Sequence, residues 1–402
     1  MSSDTFQFGQ CASLVRASTS PALFPDSPYI ALEHIDQRML TLNGHAFGRD
    51  ADSQKTGFLK GDILFGKLRP YFRKVIIAPF DGLCSTDIWV VRPLAGIDRN
   101  FLFYWMASED FVNRATDTTE GTRMPRAKWD AVSKFEVPKR SLDEQREIGK
   151  LLRSLDDRIA LLREINATLE AIAQAIFKSW FVDFDPVHAK SEGRVPEGMD
   201  EETAALFPDG FEESELGLIP RGWEIRKAET LLTRLSTKVR YSKEQVDSSG
   251  ATPVYEQGVG VLLGYHDNSA QFPATPNDPL FIFGDHTCVT HLSCEPFDVS
   301  MNVIPLKGSD RSTLWTYYAI KDKQTFQEYR RHWMELTIKE IVVAPREICD
   351  QFSLIASALH VKMESNTWQA NILSNLRDTL LPRLISGKLR LPEAEAIMGE
   401  IS

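Results

Sequence analysis

Two stretches of this sequence concentrate cations among aromatic side chains. GDILFGKLRPYFRKV (61–75) sets Lys67, Arg69, Arg73 and Lys74 beside Phe65, Tyr71 and Phe72, and GTRMPRAK (121–128) carries Arg123, Arg126 and Lys128 on a segment marked by Gly121 and Pro125. A third cluster, YRRHW (329–333), supplies Arg330, Arg331 and His332. Guanidinium and ammonium groups on short loops are what phosphate oxygens bind, so such clusters on an otherwise acidic chain are an electrostatic footprint for a polyanion. Each alone also fits a solvated face, and Ile63, Leu64 and Phe65 read as a buried strand with Lys67 and Arg69 at its rim. In GDHTCVTHLSC (284–294), His286, Cys288, His291 and Cys294 have the chemistry of metal ligands. Their H-x-C-x2-H-x2-C spacing is not that of the usual four-ligand zinc knuckles. We therefore expect no metal here, and a strand and loop from which His286 and Thr287 reach a partner. No G-x-S-x-G, P-loop, G-x-G-x-x-G or H-E-x-x-H pattern occurs, so the sequence shows no catalytic constellation.

The elements that must carry these clusters repeat. EVPKRSLDEQREIGKLL (136–152) aligns with VVAPREICDQFSLIASAL (342–359), matching Pro138 to Pro345, Gln145 to Gln351 and Leu152 to Leu359. INATLEAIAQAIFKSW (165–180) likewise follows ILSNLRDTLLPRLISG (372–387), and GDILFGKLRP and STDIWVV echo in DPLFIFGD (278–285) and SMNVIPL (300–306). Arg330 and Arg331 then stand nearly as far before Pro345 as Arg123 does before Pro138. A duplicated pair of basic clusters favours function over chance.

Heptad spacing predicts two long helices. Ser141 and Glu144 have the spacing of a capping box, and Ile148, Leu155, Leu162, Leu169 and Ile176 follow seven apart, with Leu152, Ile159, Asn166, Ala173 and Trp180 four further on. At 1.5 Å per residue, 142–180 spans roughly 58 Å. The second helix places Phe352, Leu359, Asn366, Leu373 and Leu380 on one row and Ala356, Met363, Ala370 and Leu384 on the next, with Pro382 expected to break or kink its end. Asn166 and Asn366 fit either a polar register device within the seam or solvent-facing positions at its edge. The two helices are predicted to pair antiparallel around a pseudo-twofold axis.

The expected organisation is a mixed α/β block at 1–138, a helix at 139–182, an acidic linker at 183–222, a second α/β block at 223–346, a helix at 347–392 and a tail at 393–402. In the first block the strands are placed at Asp62–Phe65, Lys74–Ala78 and Asp87–Val91 and a helix at Asn100–Asn113; in the second, strands near Leu280–Phe283 and Asn302–Leu306 precede a helix near Ser312–Tyr329. Charge explains the linker. The chain carries a net −10, yet the blocks hold 16 bases against 16 acids and 14 against 15. Residues 183–215 hold 11 acids against Lys190 and Arg194, a composition expected not to fold alone. The overall acidity therefore does not exclude a nucleic-acid partner. Five cysteines without a C-x-x-C pair, no apolar stretch near membrane length and a first segment unlike a signal peptide lead us to expect a reduced, cytoplasmic chain with no membrane contact.

Together the repeat order, YIALEHID (29–36), GDILFGKLRPYFRKV, STDIWVVRP, the run from Leu142 to Val187, LGLIPRGWE (216–224) and LLPRLISGKLRL (380–391) resemble the specificity subunit of type I restriction-modification enzymes. The resemblance covers nearly the whole chain and is loosest over 225–340. It implies two target-recognition domains, each reading one half of a bipartite double-stranded DNA site, and two antiparallel spacer helices acting as a ruler between the halves. It further implies docking of two methyltransferase subunits and two restriction subunits. S-adenosylmethionine, ATP and magnesium would be bound by those partners, with no cofactor and no catalysis in this subunit. On that reading Lys67, Arg69, Arg73, Arg123, Arg126 and Lys128 contact the first half-site, and His286, Arg330 and Arg331 the second. Competing readings are a coiled-coil scaffold with two protein-binding heads and no DNA contact, and a metal-dependent enzyme built on 286–294.

Overall fold

The computed structural model describes residues 5–401 apart from 121–122, 248–249, 259 and 329, and apart from the side chains of 398, 400 and 401. Gly121 and Tyr329 thus lie outside the described residues. The chain forms two compact units, one made of Met1–Leu161 with Ala370–Ser402 and the other of Leu162–Gln369. Mixed strands and helices with a long helix pair make up the fold. Among the described residues no helix is long and apolar enough to cross a membrane.

The first unit is built around a four-stranded antiparallel sheet in the order Ala12–Val15, Ile88–Pro93, Ile63–Gly66, Val75–Ile77. Its strand Ile63–Gly66 is buried on both faces, which is why it reads as an unbroken apolar run. Ile63 and Phe65 enter one core with Trp89, Trp105 and Phe111, while Leu64 enters a second with Ile30, Phe58 and Val90. That alternation is the two-residue period of a strand. Thr5–Gln7 pairs with Glu136–Pro138, and a five-stranded sheet containing Lys55–Phe58 and Gly82–Cys84 covers the second core.

The second unit repeats the plan. Leu232–Arg234, Val303–Gly308, Leu280–Gly284 and Thr290–Ser293 stand in the same strand order, and Glu224–Lys227 pairs with Glu340–Val343. Phe281 and Phe283 face one core and Leu280 and Ile282 the other, as their counterparts do in the first unit. Both units also contain a parallel strand pair, Pro28–Ile30 with Gly82–Cys84 and Thr252–Tyr255 with Asp298–Val299.

Two expectations are corrected and a third is refined. The helix placed at 100–113 is two, Arg99–Ala107 and Glu109–Asp117. Ser108 ends the first, and its hydroxyl accepts from the Phe111 N–H at 3.3 Å to cap the second. The helix placed near 312–329 stops at Ile320. The acidic linker is folded, with helices Asp185–Ser191 and Glu201–Leu206 and a hairpin of Phe211–Ser214 with Gly217–Pro220. It does not fold alone: Val187 and Phe207 join the core of the second unit beside Trp223, while the Lys190 ammonium donates to the carbonyls of Ala204 and Phe207.

The long helices run Leu142–Phe181 and Arg346–Ser386. The capping box forms, the Ser141 N–H donating to Glu144 at 2.9 Å and the Glu144 N–H to the Ser141 hydroxyl at 3.2 Å. Pro382 does not end the second helix, which continues to Ser386 before Gly387 takes a positive φ of 74°. Within the first unit Ile148, Leu152 and Leu155 share a core with Leu380, Leu381, Leu384 and Ile385. Within the second, Ala173, Phe177 and Trp180 share one with Ile348, Phe352 and Ala356. In both, rising numbers on one helix meet falling numbers on the other, so the pairing is antiparallel. Ile159 and Leu162 are buried, while Leu169, Ile176, Leu359 and Leu373 are half-buried.

Candidate nucleic-acid interface

Two basic clusters some fifty residues apart in sequence become one surface in the first unit. Beyond the strand Ile63–Gly66 the chain lies against the segment leading to the short helix Trp129–Val132. The Ala127 N–H donates to the Lys67 carbonyl at 2.9 Å, the Arg69 N–H to the Pro125 carbonyl at 2.8 Å, and Leu68 bridges Arg126. Arg69, Arg123, Arg126 and Lys128 are exposed and Lys67 is half-buried on this face. Tyr71 and Met124 stand among them with 41% and 50% of their surface open. Cations around exposed apolar groups suit a duplex, whose phosphates take the charge while thymine methyls and base edges meet the rest.

Acidic neighbours orient these cations. Asp87 accepts from Arg126 Nε at 2.7 Å and Nη2 at 3.1 Å, a two-pronged bond that raises the guanidinium pKa. Lys128 pairs with Glu120, and Arg69 Nη2 donates to the Arg123 carbonyl at 3.3 Å. Arg69 itself has a positive φ of 51°, uncommon for a residue with a Cβ and a mark of a loop fixed by its surroundings.

Arg73 departs from expectation. Its side chain is 3% exposed, and its guanidinium lies 2.9 Å from Asp378 on the second long helix and 3.5 Å from Glu109. It faces inward and is withdrawn from the exposed contacts.

The second unit has a corresponding junction. Beyond Leu280–Gly284 the Asp285 carbonyl accepts from the His332 N–H at 2.7 Å, the counterpart of the Lys67–Ala127 bond, and the Asp285 carboxylate accepts from the Trp333 N–H at 3.0 Å. Asp285 therefore brings the loop containing His286 to the segment containing Arg330 and Arg331. Arg331 is 78% exposed and 3.8 Å from Asp285; Arg330 pairs with Glu328 at 3.0 Å and Glu335 at 2.8 Å. The backbone of His286 is held by Gln257 Oε1 at 3.0 Å. Arg234 lies over the Trp333 ring at 5.9 Å, beside the same segment. His332 is fully buried, and its hydrogen bond to Glu335 is the main cause holding that carboxyl below the usual range.

The possible metal ligands are dispersed. His291 lies on Thr290–Ser293 against the Tyr255 ring at 4.7 Å, and burial pushes its imidazole down to about 4. Burial pushes the Cys288 thiol up to about 11 and Cys294 up to about 12, so neither is a ready thiolate. Among the described residues no three His, Cys, Asp or Glu side chains gather as a metal site.

The helix seam has a polar interior, of which the sequence indicated the asparagines and not the charged groups. Asn366 Nδ2 donates to Asn166 Oδ1 at 2.8 Å, while Asn166 Nδ2 donates to the Met363 carbonyl at 2.9 Å and Thr367 Oγ1 at 3.0 Å. The two asparagines thus pair inside the seam and do not point to solvent. Arg377 falls on the row of Met363, Ala370 and Leu384, so heptad counting could have found it. It is 1% exposed and bonds Asp156 at 2.5 Å, whose other oxygen accepts from the Tyr104 hydroxyl at 2.5 Å. The second unit places Tyr318 likewise, its hydroxyl 2.9 Å from Glu170 and 2.8 Å from His360 Nε2, with Lys321 2.5 Å from Glu170. Burial opposes ionisation of Glu170, but the Lys321, Gln174 and Tyr318 donors hold its pKa down.

Comparison with known proteins agrees with this plan. The type I restriction modification DNA specificity domain family matches residues 25–171. The specificity subunit of the HindI type I restriction enzyme of Haemophilus influenzae is 37% identical over 159 residues, 38% of this chain and 34% of that protein. The match therefore spans about a third of that relative's length. The MjaIX specificity subunit of Methanocaldococcus jannaschii is 23% identical over 368 residues, 84% of this chain and 79% of that protein. Among solved structures, the type-I restriction-modification system S subunit from M. genitalium aligns over 95% of both chains with a TM-score of 0.50 and 16% identity, a likeness of fold.

Proposed function

We propose that this chain, which belongs to the type I restriction-modification DNA specificity family, selects the DNA sequence on which a multi-subunit enzyme acts. The observation that carries the reading is the repeated junction: in each unit the loop after one central strand is bonded to a cation-bearing segment 45 to 60 residues downstream, at Lys67 with Ala127 and at Asp285 with His332. Each junction reads one half of a bipartite duplex site. Lys67, Arg69, Arg123, Arg126 and Lys128 serve the first half, and His286, Arg330 and Arg331 the second. Most of these cations position the backbone, while a few side chains read base edges in the groove.

The recognition domains are assigned to 1–138 and 223–346, and the paired helices set the number of unread base pairs between the halves. The helices also dock the partners. Ile165 and Ile172 on the first, and Leu354, Val361 and Trp368 on the second, are apolar yet 36–68% exposed on helices whose seams are already filled, as suits a surface awaiting another protein. Those partners are two methyltransferase subunits and two restriction subunits, which bring S-adenosylmethionine, ATP and magnesium. This chain binds none of these and performs no chemistry itself.

The test is a footprint of the chain assembled with its methyltransferase partner. A bipartite protected site is expected, and replacing Arg123 and Arg126 together by alanine weakens protection of one half and leaves the other. No footprint on any DNA, or equal loss at both halves, would refute the assignment and favour a protein-binding scaffold.

A further inference from the structure

The loop from Lys67 to Lys74 is bounded by two arginines with left-handed backbone, Arg69 at φ 51° and Arg73 at φ 50°, on either side of the short helical turn Pro70–Phe72. Residues with a Cβ rarely adopt that conformation, so each end needs an outside hold. The Arg69 end has one in its N–H bond to the Pro125 carbonyl. The Arg73 end is held by side-chain charge: its guanidinium, 3% exposed, reaches Asp378 at 2.9 Å and Glu109 at 3.5 Å.

Those carboxylates belong to a connected series. Asp378 also accepts from Arg377 Nε at 3.1 Å, Arg377 bonds Asp156, and Asp156 bonds Tyr104. On the other side Glu109 accepts from Arg38 at 2.7 Å, and the Arg38 N–H donates to the Phe72 carbonyl at 3.2 Å, back inside the loop. The series therefore runs from the loop that presents Arg69 and Tyr71, through Arg73, to both long helices within the first unit.

We infer that Arg73 is a positioning residue, which ties the DNA-facing loop to the helix pair through Asp378 and so fixes where Arg69 and its neighbours meet the duplex. The inference rests on the DNA-binding reading above. It separates Arg73 from the exposed cations around it: they meet phosphate, whereas Arg73 has both arms committed to carboxylates and acts through the loop.

The sign of one substitution distinguishes this role from a phosphate contact. Asp378→Asn removes a negative charge near a DNA-binding face, and through-space attraction alone makes binding tighter. Loss of the tether makes it weaker. With the full chain and a long random-sequence duplex, Asp378→Asn is expected to weaken binding about tenfold, the effect of one charge-assisted hydrogen bond. The salt slope stays unchanged, whereas Arg69→Ala lowers it by about 0.9, one phosphate's worth. Arg73→Lys keeps the charge but cannot span two carboxylates, so it behaves like Asp378→Asn. The exchanged pair Arg73→Asp with Asp378→Arg restores binding. Hydrogen exchange supplies a readout without DNA: the amides of Gly66, Phe72 and Arg73 exchange faster in Asp378→Asn and in the milder Glu109→Gln, while those of residues 162–369 do not change. Undiminished affinity in Asp378→Asn, or unchanged exchange over residues 66–74, overturns the inference. A wild-type chain that binds no duplex counts against the DNA reading, and the exchange measurement then still decides the tether.

Discussion

Replacing the paired seam asparagines by leucine, singly and together, tests what they do. Asn366 is 2% exposed, and its amide donates to Asn166 at 2.8 Å; Asn166 in turn donates to the Met363 carbonyl and to Thr367. In Asn366→Leu the Asn166 carbonyl oxygen loses its donor in a largely dry seam, at a cost of about 1–3 kcal/mol. The new leucine offsets that by roughly 1.5 kcal/mol of apolar burial, so the single change lies between a gain of about 0.5 kcal/mol and a loss of about 1.5 kcal/mol. Asn166→Leu strands the Asn366 amide in the same way. The double replacement leaves neither amide unpaired and buries two leucines, giving a chain as stable as wild type or up to about 2 kcal/mol more stable. A double-mutant cycle on urea unfolding should therefore show a favourable coupling of about 2 kcal/mol between the leucines. The compensating loss is in register, because leucine packs equally well when one helix slides by a heptad and asparagine does not. On the proposed function, the doubly substituted chain, assembled with a methyltransferase partner, is expected to direct modification to sites whose spacer differs from the wild-type length. Additive effects of the two leucines, or a stabilised chain with unaltered spacer preference, would contradict the register role.

Two further outcomes follow from buried groups. Tyr104→Phe removes the hydroxyl that donates to Asp156 and should cost about 1.5–3 kcal/mol, read from urea unfolding; a neutral change would show that Arg377 satisfies Asp156 by itself. His291 ordinarily titrates near 6.5, and burial lowers it to about 4 in the fold. The unfolded chain therefore binds a proton that the folded chain refuses, so this stability is complete above pH 6.5 and is lost as pH falls towards about 4, by up to roughly 3 kcal/mol. His291→Gln should flatten that part of the pH profile of thermal unfolding, and an identical slope in both chains would count against a buried neutral imidazole.

What was legible in the sequence depended on the range of the interaction that decided it. The long helices were, because a heptad row is a local pattern, and Ser141 with Glu144 announced the start. The duplication was legible too, in Pro138 and Pro345 and in the two glycine-ended strands, and the sheets repeat in the same order. The junction was not: Leu68 meets Arg126 through backbone bonds that leave no mark in either segment. Arg73 was misplaced for the same reason, since nothing in GKLRPYFRKV tells an arginine aimed at solvent from one aimed at a carboxylate 305 residues further on. That the acidic linker is ordered against the second unit was not legible, because average composition hides Val187 and Phe207, whose burial there decides it.

Sequence repeat and compact unit divide the chain differently. The repeat is a head followed by its helix. A unit is a head with the first part of its own helix and the last part of the other, Leu142–Leu161 with Ala370–Ser386 in one case and Arg346–Gln369 with Leu162–Phe181 in the other. Neither repeat can then fill its own seam: Ile148, Leu152 and Leu155 are buried by Leu380, Leu381 and Leu384, residues of the other repeat. The buried polar groups obey the same exchange, for Asp156 of the first helix is paired by Arg377 of the second and Glu170 of the first by Lys321 and Tyr318 of the second head. An unpaired charge at such a site costs several kcal/mol, far more than an apolar mismatch. Each helix is therefore held to its partner by groups that penalise slipping. That makes the seam more than a hydrophobic contact, and it is the property that the proposed fixed spacing between two half-sites would require.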